Sequence, residues 1–335
     1  MKKLILILLI FFVLVIEGSV TKVISLEGHS RPTYLAVDQN NFFITDFPSI
    51  YIYSLTDYTL KKKFGKRGEG PKEFLNYANI TLSREKMIIN SAGKISFFTK
   101  DGHFLNEKKL ELAGSTFKPM ENHYGVYGFT QEEKVVYQTI NVYDASFKKV
   151  KEIYRYPNWV QQQGPKRGVY VVNFARFGML IHEDKMVVMD MEDFKVYVWH
   201  EETDKIVLIK LDYEKLKFTA ADKKKYLDFF KTDPDLRGNF ENLKPLMTFP
   251  DYYPPIRSFG VGDGKVFVYT YKEKNGKTEF FIFDMNGNLL KTTYLPLKGG
   301  MTHYQNPYYF SNGKMYQLVE NEEEEEWELH ITEIE

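Results

Sequence analysis

Short runs of Val, Ile, Phe, Tyr and Met, alternating or continuous, recur along the chain between clusters of Gly, Asn and Asp, the pattern of strands joined by hairpins. One run repeats most legibly: FFITD (42–46), MIINS (87–91), VYGFT (126–130), MVVMD (186–190), VFVYT (266–270) and MYQLV (315–319). These predict the second strands of six similar units. Third strands follow at IYIYS (50–54), ISFFT (95–99), VYVWH (196–200) and FFIFD (280–284), and YLAVD (34–38) and SFGVG (258–262) supply first strands. Asp101-Gly102 and Asn286-Gly287 mark tight turns toward the fourth strands, because such turns need positive φ.

Six four-stranded units of about 40–50 residues describe a β-propeller, each sheet burying its faces against its neighbours around a central channel. After MYQLV and WELHITEI the last unit is one strand short, while TKVISLE (21–27) precedes the first unit with no partner there. Pairing the two completes the last blade and removes two open sheet edges together. The fold class is therefore all-β, a six-bladed propeller over residues 20–335 closed by its N-terminal strand. An insertion, 212–255, lies between units four and five. In it Thr219 and Asp222 form a capping box, and Tyr226, Leu227 and Phe230 make the apolar stripe of a short helix that stops at Asp233-Pro234. The run Glu322–Glu326 is expected at a solvated hairpin tip, with Trp327, Leu329 and Ile331 alternating toward the sheet interior.

The first residues follow another pattern. Lys2 and Lys3 precede thirteen uncharged apolar residues, LILILLIFFVLVI (4–16), and then Glu17-Gly18-Ser19. A basic start and an apolar run too short to span a bilayer predict a signal peptide over 1–19, and with it a secreted, periplasmic or cell-envelope location. No cysteine occurs, which excludes disulfides, thiolate chemistry and a bacterial lipid-attachment site. Basic and acidic residues number 45 each, and a neutral chain of this kind is not expected to bind nucleic acid or an anionic membrane.

Residues 65–74, GKRGEGPKEF, stand between units one and two. They resemble the G-x-x-G-x-G-P-x-E-F connector of bacterial six-bladed propellers related to NHL-repeat and TolB-like proteins, a resemblance that implies the same fold over the whole exported chain. It does not carry a phosphate loop, since Gly70 is followed by Pro71 and Lys72. Gly65, Gly68 and Gly70 are expected to take backbone angles closed to other residues, with Glu73 bonded to amides of the turn.

Chemistry is sparsely encoded. The seven histidines are nowhere spaced i, i+4, and neither HExxH nor a G-x-S-x-G elbow occurs, so no metal and no cofactor is expected. Six of the eight arginines (Arg31, Arg67, Arg167, Arg176, Arg237 and Arg257) fall in connections between one unit and the next, which emerge together on one face of a propeller. Lysines simply follow the length of those segments. Arginine suits bidentate recognition of carboxylate or phosphate, so Arg31, Arg67, Arg176 and Arg257, with Tyr252 and Tyr253 of the insertion as a wall, form the candidate ligand site. The expected function is that of a non-catalytic binding module engaging an unidentified peptide, glycan or protein, anionic by this argument. The alternative is a metal-dependent hydrolase of the gluconolactonase type. Leu26-Glu27-Gly28 followed by YLAVDQNNFFITD is similar to the opening of that family, with Glu27 in the place of a metal ligand, but its later Asn and Asp ligands have no clear counterpart here. A structural part of a larger assembly is the third reading.

Overall fold

The computed structural model describes residues 21–83, 85–110, 117–160, 170–171, 177–233, 236–299 and 306–334. The expected signal peptide (1–19), Arg167 and Arg176 lie outside the described residues.

Six four-stranded antiparallel sheets follow one another along the chain. Blade one comprises Tyr34–Val37, Asn41–Asp46, Ser49–Ser54 and Leu60–Phe64. Blade two comprises Asn79–Leu82, Lys86–Ser91, Lys94–Thr99 and Phe104–Lys109. Blade three has the longest strands, Phe117–Pro119, His123–Glu132, Val135–Asp144 and Lys149–Val160. Blade four is Phe177–His182, Lys185–Asp190, Lys195–His200 and Lys205–Lys210. Blade five is Ser258–Gly262, Lys265–Lys274, Lys277–Asp284 and Leu289–Leu295. Blade six takes Tyr308–Ser311, Lys314–Asn321 and Glu326–Glu333, and is completed by Thr21–Leu26 on its outer edge.

That last pairing runs from Thr21 opposite Thr332 to Leu26 opposite Trp327, so the N-terminal strand closes the ring as its unpaired position predicts. Trp327, Leu329 and Ile331 point inward and Glu322–Glu325 are exposed at the tip. One apolar cluster fills each junction between blades. At the closing seam Leu35, Val37, Phe42 and Ile44 of blade one meet Tyr316, Leu318 and Leu329 of blade six. Between blades five and six the approach is so close that a Cβ on Gly262 would stand 2.0 Å from the Phe310 carbonyl oxygen. The outer strands carry Lys61, Lys62, Lys63, Lys108 and Lys109, charges that discourage edge-to-edge association.

The GKRGEGPKEF segment forms a small parallel pairing of Lys66–Arg67 with Glu73–Phe74. Glu73 accepts the Gly70 amide at 2.8 Å and pairs with Lys66 at 2.8 Å, while Phe74 is fully buried between blades one and two. Gly65 and Gly68 take the expected left-handed angles, with φ of +99° and +154°. Gly70 does not. Its role is one of space, because a Cβ there would lie 3.1 Å from the Glu73 carboxyl carbon.

The insertion holds the predicted helix, Ala220–Thr232, with both halves of the Thr219–Asp222 capping box formed. Tyr226 and Phe230 pack with Phe218, Phe240 and Tyr253 into a core of their own, which rests on Tyr271 of blade five. Met247–Thr248 pairs in parallel with Tyr170–Val171, tying the insertion to the connection between blades three and four. Among the described residues no helix is long and apolar enough to cross a membrane.

Candidate binding site

The inner strands of the six blades run in one direction, from the face carrying the blade-to-blade connections to the face carrying the turns into each second strand. They surround a cavity of about 830 Å³ on the propeller axis. Tyr34, Tyr308 and Asn306 line its connector end, and Asp38, Ser83, Glu183, Asp263 and Asn312 line its turn end. Val37, Ile80, Leu180 and Val261 contribute apolar wall, and Lys118 adds a cation.

Bonds from blade to blade hold the turn end. The Gly264 amide donates to His182 Nε2 at 3.0 Å, joining blades four and five. Asp263 accepts the amides of Asn312 and Gly313 at 2.9 and 2.8 Å, joining five and six. The Asn312 side-chain amide donates to the Asp38 carbonyl at 3.1 Å, and Asp38 pairs with Lys100 at 3.5 Å, joining six to one and one to two. Burial lowers the His182 pKa, which suits a neutral ring accepting from Gly264. Burial also pushes the Tyr34 phenol up to about 12, so it remains a donor at neutral pH.

A second cavity, about 600 Å³, adjoins on the turn face between blades two and three and shares Leu82, Ser83, Ile181 and Glu183 with the first. Its far side is anchored by Glu201, which accepts the Asn122 amide at 2.8 Å and stands 2.6 Å from His123 Nδ1.

On the connector face His29 Nε2 lies 2.8 Å from the Tyr53 hydroxyl, and Asp46 accepts the backbone amides of Ser30 and Arg31 at 2.7 and 3.1 Å. Burial alone would raise the Asp46 pKa. The bonds from His29, Ser30 and Arg31 more than reverse it and bring it to about 2. The cluster pins the segment that leads from the closing strand into blade one.

The residues singled out from the sequence occupy several settings. Arg31 and Arg67 are exposed, on the connections before and after blade one. Arg257 is only 9% exposed; its Nη2 donates to the Gly299 carbonyl at 3.3 Å, its Nη1 lies 3.6 Å from Glu273, and its guanidinium sits over Tyr271. Tyr253 is 5% exposed and stacks on the same Tyr271 at 4.4 Å, so the fold brings Arg257 and Tyr253 together around one ring. Tyr252 is exposed. None of Arg31, Arg67, Arg257, Tyr252 and Tyr253 is among the described residues lining the axial cavity. Glu27 is exposed beyond the end of the outer strand of blade six. Among the described residues no group of three or more His, Asp or Glu gathers as metal ligands would.

Sequence reasoning did not single out Lys118. Its signal is a lone cation in the short apolar stretch Phe117-Lys118-Pro119-Met120, an inner strand too brief to show periodicity.

No protein-family model and no curated protein matches this sequence. Among solved structures, a candidate exported protein of Bacteroides fragilis superposes with a TM-score of 0.56 at 14% identity, over 95% of each chain. A luciferin-regenerating enzyme gives 0.44 at 11% identity, over 94% of this chain and 95% of its own. A protein of unknown function from Bacteroides caccae gives 0.41 at 9% identity, over 81% and 84%. The likeness to the Bacteroides fragilis protein is one of fold.

Proposed function

We propose that the chain is an exported, non-catalytic binding module that takes a small ligand in the axial cavity of its propeller. The observation that carries this reading is the cavity of about 830 Å³, with a mouth held by bonds between the turns of blades four, five, six and one. A pre-formed cleft of mixed apolar and polar lining binds without first paying to order its walls. Export is supported by the leader sequence and by the description of the Bacteroides fragilis relative as a candidate exported protein. The connector face, where Arg31, Arg67 and Tyr252 are exposed, is the second surface of this reading and suits an anionic peptide or glycan.

The test is a thermal-shift screen of a small-metabolite library on the parent and on Thr81→Trp, which places an indole on the inner strand of blade two where it lines the cavity. Compounds that stabilise the parent and not the variant support the reading. A library in which nothing stabilises the parent, or which stabilises both alike, refutes it.

A further inference from the structure

We infer that the axial cavity receives a small organic anion, a carboxylate or a phosphate monoester, whose charge meets the ammonium of Lys118. The inference rests on the cavity as a ligand site and names the class of ligand.

Lys118 lies on the inner strand of blade three, opposite Gly125 in the register, and lines the cavity. Its Nζ donates to the Met179 carbonyl at 2.8 Å, and among the described residues it has no carboxylate partner. An ammonium has three N–H donors, so two remain for a guest. Two of the acids that line the cavity are engaged elsewhere. Asp263 uses both oxygens on the Asn312 and Gly313 amides. Asp38 accepts the Asn40 and Asn41 amides with one oxygen and faces Lys100 with the other. Glu183 stands exposed on the rim.

Burial lowers the Lys118 pKa to about 8, so the amine is still mostly protonated at neutral pH while held where its charge is poorly solvated. An unpaired cation in such a place is costly, and an arriving anion relieves that cost in a setting where the attraction is weakly screened. The volume of about 830 Å³ admits a small molecule and excludes a folded partner.

The test measures binding of benzoate, glucuronate and phenyl phosphate, with benzyl alcohol and glucose as uncharged counterparts, to the parent, Lys118→Gln and Lys118→Arg. Glutamine keeps a donor for the Met179 carbonyl and removes the charge; arginine keeps the charge. The acids are expected to bind the parent at least tenfold more tightly than their counterparts, to lose at least tenfold on Lys118→Gln and to recover on Lys118→Arg. Phenyl phosphate against benzoate separates a phosphate site from a carboxylate site. In the parent, the same acids are expected to slow reductive methylation of Lys118, read by peptide mass spectrometry, which keeps the inference testable should Lys118→Gln not fold. It is overturned if no acid binds, if the acids bind Lys118→Gln as tightly as the parent, or if they leave Lys118 methylation unchanged. Uncharged compounds that bind parent and Lys118→Gln equally would leave the cavity as a ligand site and overturn only the anion.

Discussion

The closing strand offers the most direct perturbation of the ring: a chain beginning at Glu27 compared with one beginning at Val20. The strand pairs at six positions with Glu326–Glu333, and its inward side chains are Leu26, 2% exposed, and the half-buried Ile24, both in the cluster that joins blades six and one. A fully buried aliphatic side chain contributes about 1.5–3 kcal/mol, so these two together supply about 3–4 kcal/mol. The ladder bonds, about 1 kcal/mol each net, roughly offset the backbone entropy of about 1–2 kcal/mol for each residue ordered. The expected loss is therefore about 3–4 kcal/mol, roughly a fifth or more of the stability of an ordinary domain. Urea unfolding followed by tryptophan fluorescence measures it, with Val23→Ala as control, since Val23 is 48% exposed and its truncation should cost under about 0.5 kcal/mol. The bared edge of Glu326–Glu333 should also accept a peptide of residues 20–27 added in trans, restoring the midpoint by strand addition. Unfolding free energies that agree within about 1 kcal/mol, with no response to the peptide, would refute the argument that this strand closes the ring.

Three further outcomes follow from local geometry. Asp46 has a folded-state pKa of about 2, below its unfolded value, so its contribution is present above pH 4 and disappears as pH falls toward 2. Acid titration of stability should show about 2 kcal/mol lost across that window in the parent and a flatter profile in Asp46→Asn. Gly68→Ala should lower stability by about 2 kcal/mol, because φ is +154° and the added methyl would meet Glu73 Oε2 at 2.1 Å; Gly70→Ala, with no such angle, should cost less in the same thermal melts. Thr219→Ala removes the hydroxyl that accepts the Asp222 amide, leaving the bond from the residue 219 backbone amide to the Asp222 carboxylate, and should cost about 1 kcal/mol, read as faster hydrogen exchange in Ala220–Thr232 and not in the blades.

How far the sequence discloses the molecule depends on the range of the interactions concerned. Strands such as Asn41–Asp46 and Lys265–Lys274 are legible because burial of a face imposes a local period, and the helix is legible because its cap lies three residues from its partner. Closure by Thr21–Leu26 is long-range, yet it can be deduced because an unmatched strand at each end has one economical solution. The site is less accessible to this reasoning. Arginine reaches far, so its position in a connection does not say where its guanidinium goes: Arg31 and Arg67 are exposed, whereas Arg257 is covered by an insertion whose Tyr226 and Tyr253 pack onto Tyr271. Lys118 meets Met179 across a blade boundary, and nothing within three residues of it in the sequence announces a cavity.

The two faces of the propeller solve different problems. Closing a ring from its chain ends leaves a seam between blades six and one, and this molecule pins that seam at both ends. On the connector face Asp46 grips the backbone of Ser30 and Arg31, and on the turn face Asn312 reaches the Asp38 carbonyl, with the cluster of Leu35, Val37, Tyr316 and Leu318 between them. The seam is thereby made as continuous as any other junction. By contrast, among the described residues no hydrogen bond joins the turn after Asn79–Leu82 to the turn after Phe117–Pro119, and the second cavity lies there, on the flank of the blade that carries Lys118. That junction is held by its apolar cluster of Ile88, Ile95, Phe117, Tyr124 and Val126, so packing, and not a bond between turns, seats the strand that carries Lys118.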